Sequence, residues 1–217
     1  MSSVLVDAGA AIVTAGADLS RAGLSPGTTG NVSVRVGEHV VCTPTGADLG
    51  ALDPSNLSVI AADGSHVSGP RATKETFMHL AMYAADPGVG AIVHTHATRA
   101  TAVSCLAGLD PVDAIVPLTP YLTMKAGPIA VVDYRAPGDR DIAPLIADAS
   151  RAGHRGILLA NHGTLVGGAT VGDAVTATIE LEQAAAIMLL TAGREVRRLT
   201  DDEVADLRDR YPYRQTG

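Results

Sequence analysis

Two short apolar runs, AIVHTH (91–96) and GILLANHG (156–163), each carry histidine at or near the end. Both read as buried strands, since they are too short for helices and are bounded by turn residues. A chain holding such strands must cover them, and the rest of the sequence supplies helices at intervals. Apolar residues at helical spacing over 4–22 stop at Gly23, a plausible helix end. Helices are also predicted over 73–84 with Thr73 as N-cap, 99–108, 141–153 with Pro144 in the first turn, and 171–192. A last helix, 201–210, opens with Thr200 and Glu203 in capping-box spacing.

Between them lie further strands. The turn-rich SPGTTGN leads into VSVRV, with HVVCT (39–43) as hairpin partner across Gly37-Glu38. LSVIAADG and SHVSG read as two short strands, and IAVVDY (129–134) as another. Alternating strands and helices with no repeat or linker give an α/β chain of one domain. Its core runs over about 5–192, with a helical extension over 193–217.

His94 and His96 are two apart on a strand, so period-2 geometry sets both imidazoles on one face with Thr95 on the other. His162 ends another apolar run. If the two strands are neighbours, three imidazoles converge, and three nitrogens with an open position suit catalytic zinc. A His-x-His pair is also ordinary packing. Glu75 and His79, four apart on one helix face, are a further pair that composition neither includes nor excludes. His39, His66 and His154 read as solvated side chains. GTTGN (27–31), TPTG (43–46) and Thr73-Lys74 are candidate anion cradles, although Gly-Thr loops are also common as plain turns. No Walker A or GxGxxG pattern supports nucleotide binding.

Composition removes other classes. Net charge is −7, and aromatics amount to one Phe and five Tyr with no Trp, against a nucleic-acid partner. Two cysteines make no disulfide framework. The N-terminus lacks a basic segment, and no window approaches 18 uninterrupted apolar residues. The expectation is a soluble cytoplasmic protein with no membrane partner.

GTTGNVSV, TPTG, KE before a helix, AIVHTH and NHG, in this order and spacing, resemble the class II aldolase/adducin family over about residues 5–192. The resemblance implies a three-layer α/β/α fold with a central, mostly antiparallel sheet. It also implies a C4-symmetric homotetramer with active sites between subunits. It assigns His94, His96 and His162 to a catalytic zinc, with Glu75 as acid/base or fourth ligand. The phosphate of a small ketose or sugar acid falls to Thr28, Gly30, Asn31, Thr45, Gly46, Thr73 and Lys74. Tyr121 matches a tyrosine contributed to a neighbouring subunit's site.

Within the family, SCLAGLDPVDAIVPLTPYLTMKAG (104–127), VVDYRAPGD (131–139) and Lys74 before the acid resemble the 3-oxo-tetronate 4-phosphate decarboxylases. Lys125 and Thr164 depart from that pattern, where Arg and Pro are expected. The resemblance therefore implies decarboxylation to dihydroxyacetone phosphate through a metal-stabilised enediolate. The alternatives are aldol cleavage of a ketose 1-phosphate, which reaches the same enediolate, and a non-catalytic assembly module of the adducin kind.

Overall fold

The computed structural model describes residues 3–211, so the end of the expected C-terminal extension, 212–217, lies outside the described residues. Strands β1 (Asn31–Val36), β2 (His39–Cys42), β3 (Ser58–Ala61) and β4 (His66–Ser68) form a meander. β5 (Ala91–Thr95), β6 (Ile129–Val132), β7 (Gly156–Leu159) and β8 (Gly163–Gly168) complete one sheet in the order β4-β3-β2-β1-β5-β8-β7-β6. Every pairing is antiparallel except β6–β7. There α5 (Ile142–Arg151) makes the crossover that parallel strands require.

Helices cover both faces. Against one face, α2 (Thr76–Ala85) and α5 bury Met78, Met82, Ile142 and Ile146 on Ile92, Ile157 and Leu165. Against the other pack α1 (Ser3–Arg21), α3 (Thr98–Ser104), α4 (Pro120–Lys125) and α6 (Val171–Leu190). β5 shows why both layers are needed. Ile92 enters the first core and Val93 the second, so all five of its residues are buried. The three-layer expectation holds.

By length and composition α1 is apolar enough to cross a membrane. Here Ile12 and Leu19 are fully buried against Val32, Val41, Leu49 and Val93, so its apolar stripe serves the core. The helix α7 (Asp201–Arg210) carries the expected capping box of Thr200 and Glu203. A second box, Thr170 with Asp173, starts α6.

Five local expectations are corrected. The segment 73–84 begins its helix only at Thr76, because a turn at 74–75 comes first, in which the Thr73 hydroxyl accepts from Glu75 N–H and Glu75 becomes the N-cap. GILLANHG is not one strand: β7 stops at Leu159, a turn follows, and β8 starts at Gly163. The 99–108 helix is shorter, and α4 appears where none was expected. His154 is buried, with its Nδ1 3.2 Å from the Pro128 carbonyl, and is not solvated.

Candidate metal centre

Four ligand atoms, one each from Glu75, His94, His96 and His162, lie within 4.8 Å of one another. The sheet brings three of these residues together. His94 and His96 leave the C-terminal end of β5. His162 comes from the turn joining β7 to β8, and β8 pairs with β5 through His94 opposite Leu165. The two histidine-bearing runs are therefore not neighbours, since β8 lies between β5 and β7. It is the turn that carries His162 back. Asn161 adopts φ 57°, the left-handed conformation that Asn tolerates better than most residues. The following Gly163 is needed for space, as a Cβ there would lie 2.4 Å from the Thr95 carbonyl oxygen and 3.1 Å from His96 Cδ2.

The imidazole centroids are 4.9, 5.1 and 4.8 Å apart. His94 Nδ1–H donates to the Thr164 carbonyl at 2.7 Å, which leaves the Nε2 lone pair facing the cluster. His94 Nε2 is 3.0 Å from His96 Nε2 and 3.3 Å from Glu75 Oε2, and His162 Nε2 is 3.5 Å from Glu75 Oε1. Burial pushes His94 down to about 4, with His96 and His162 adding to the effect against Glu75. Burial, then His162, likewise lowers His96. Both rings are therefore unprotonated at neutral pH, the form that ligates metal.

Burial works against a charged Glu75. The hydrogen bond from His162, the proximity of His94 and a 2.7 Å hydrogen bond from Asn31 Nδ2 outweigh it, bringing the carboxyl to about 2. Glu75 occupies the N-cap position of α2 yet makes no capping hydrogen bond, because its side chain turns to the histidines. Three imidazoles and one carboxylate, with a partly open side, fit a divalent transition metal of catalytic type.

The cradle residues divide into two groups. Thr45 N–H donates to the Arg71 carbonyl and Pro44 bridges Ala72, so Thr45 and Gly46 are tied beside Thr73 and Lys74. Gly30 and Asn31 stand against the cluster itself: a Cβ at Gly30 would lie 2.8 Å from the His94 carbonyl oxygen, and Asn31 is spent on Glu75. Thr28, Thr45, Gly46 and Lys74 are exposed, while Thr73 is buried with its hydroxyl accepting from Glu75 N–H. Tyr121, more than half exposed on α4, is on the opposite side of the sheet from α2 and Glu75.

His79 is left out of the cluster. It is fully buried on α2, with Nδ1 2.7 Å from Ser33 Oγ, which in turn meets the Tyr83 hydroxyl at 2.8 Å. The Thr164 carbonyl that orients His94 had no sequence signal, because any residue supplies a main-chain oxygen.

The family model for the class II aldolase and adducin N-terminal domain matches residues 10–189. The chain belongs to the class II aldolase/adducin family. It is 42% identical over 187 residues to the 3-oxo-tetronate 4-phosphate decarboxylase of Escherichia coli strain K12, covering 86% of this chain and 88% of that protein. The L-fuculose phosphate aldolase of the same strain is 31% identical over 89% of each chain. The crystal structure of YgbL from Klebsiella pneumoniae superposes with a TM-score of 0.90 at 41% identity, covering 93% of this chain and 98% of that one. Decarboxylases and aldolases both break carbon–carbon bonds, and this family member is a lyase.

Proposed function

We propose that the protein converts 3-oxo-tetronate 4-phosphate to dihydroxyacetone phosphate and CO2. The observation that carries this reading is the convergence of Glu75, His94, His96 and His162, joined to 42% identity with a decarboxylase of that substrate. His94, His96 and His162 would hold a zinc ion. When bound, such an ion supplies a Lewis acid for the negative charge that develops on the substrate's ketone oxygen.

The bond between C1 and C2 breaks, C1 leaves as CO2, and its electron pair stays on C2, conjugated with the C3 ketone as an enediolate. A proton must then reach C2, and Glu75 would deliver it. Asn31 orients the carboxylate, which remains partly open to solvent and takes up from there the proton it passes on. Thr28, Gly30, Thr45, Gly46, Thr73 and Lys74 would bind the substrate phosphate, a remote anchor that holds the reacting carbons in place. Asn31 would contribute to that anchor as well as holding Glu75. Tyr121 would reach the site of a neighbouring copy in a homotetramer, in the cytoplasm.

Aldol cleavage of a ketose 1-phosphate uses the same residues, and the 31% identity to L-fuculose phosphate aldolase supports it less strongly. Purified protein given enzymatically generated 3-oxo-tetronate 4-phosphate, with and without chelator, separates the readings. Equal, chelator-sensitive release of CO2 and dihydroxyacetone phosphate is the expected result. Cleavage of L-fuculose 1-phosphate without decarboxylation would move the leaving group to an aldehyde. Inactivity on both would leave an assembly module.

A further inference from the structure

A buried carboxylate outside the metal cluster has no part in the chemistry above. Glu182 is on α6, and its side chain is only 2% exposed. Its Oε1 accepts from Arg99 N–H at 3.1 Å and its Oε2 from Ala100 N–H at 2.8 Å, with Arg99 Nη1 3.3 Å away. These are the second and third N–H groups of α3, which an N-cap side chain would ordinarily satisfy. The N-cap of α3 is Ala97, which has no such side chain. Glu182 thus caps α3 from a helix more than 80 residues away in the chain.

α3 is a strut between two metal-ligand residues. Its start is joined to His96 through Ala97 alone. At its other end the Ser104 carbonyl accepts from Asn161 N–H at 3.2 Å, in the turn that carries His162. His94, in contrast, is fixed inside β5 and by the Thr164 carbonyl.

We propose that Glu182 is a positioning residue for metal binding: by capping α3 it sets His96 directly and His162 through Asn161. This rests on the metal-site reading. Its test is Co2+ affinity, measured by chelator competition, with the visible spectrum of the Co2+ protein and thermal unfolding of the metal-free protein. Glu182→Ala should weaken Co2+ binding by about 10- to 100-fold and change the ligand-field bands, as loss of a residue that orients ligands does. Glu182→Gln keeps one acceptor and should lose less. It carries the test alone should the alanine variant not fold. Val204→Ala, a buried change on α7 outside the core that holds α3, should lower the unfolding temperature without altering affinity or spectrum.

Unchanged affinity and bands in both Glu182 variants, with only stability lost, would reduce Glu182 to a structural cap and overturn the proposal. A parent protein that binds no Co2+ would instead overturn the metal site.

Discussion

The candidate metal cluster and the proposed phosphate loops are built differently. His94 is fully buried within a central strand, its ring oriented by a neighbouring strand's carbonyl, and Glu75 is held by Asn31. The cradle is made mostly of loop residues, with Thr28, Thr45, Gly46 and Lys74 exposed, joined by main-chain contacts such as Thr45 to Arg71 and Thr73 to Thr43. A rigid cluster suits groups that act on reacting atoms, where small displacements are costly. Loops suit a phosphate, whose charge is spread over several oxygens and tolerates adjustment. Damage to the first should abolish the chemistry, and damage to the second should weaken capture of substrate.

The largest effect should come from His94→Ala or His162→Ala. Either should remove bound metal and CO2 release together, with metal content and turnover measured on one preparation. Glu75→Gln separates holding from acting: metal should remain while kcat falls about 100-fold or more. Retained turnover there would end the proton-transfer role.

Lys74→Ala tests the cradle. Its expected signature is KM raised by roughly tenfold with metal content unchanged, the mark of lost ground-state binding. A fall in kcat alone would place Lys74 with the reacting atoms instead.

The smallest effect concerns stability, and it tests how far the rigid region extends behind the cluster. Burial, followed by the proximity of His94, lowers His79 to about 3, so in the folded protein it stays neutral where an unfolded chain takes up a proton. The unfolded state then binds more protons below about pH 6.5, and stability falls as pH drops from there towards 3. Each such histidine contributes a slope of about 1.4 kcal/mol per pH unit. In chelated protein, His79→Asn should remove one proton's share of that slope, read by denaturant unfolding at several pH values. His94 should retain its own share down to about pH 4. An unchanged slope would show that His79 is not buried neutral.

Much of this was legible in the chain itself. The period-2 spacing of His94 and His96 sets both on one side at the end of β5, His96 one residue beyond it, and Thr200 with Glu203 announces the start of α7. The periodicity of α1 and the Ala-, Leu-, Glu- and Met-rich composition of α6 were equally plain. The reading of 156–163 as one strand failed because the left-handed Asn161, which turns the chain after Leu159, is a single residue inside an apolar run. Thr73 is not the N-cap because its hydroxyl closes a turn onto Glu75 N–H and the Glu75 side chain turns to histidines distant in the chain, a tertiary commitment that local propensity cannot contain.

The sequence by itself determined the family, the α/β class and the ligand types, because these reside in local pattern and side-chain chemistry. Only the tertiary structure decided that His162 reaches the cluster by a turn around β8, that His79 stays out of it, and that Asn31 serves Glu75. It alone showed that Glu182 caps a helix it is far from in sequence. Those choices depend on strand order and on main-chain groups, which every residue carries and which no spacing in the sequence can single out.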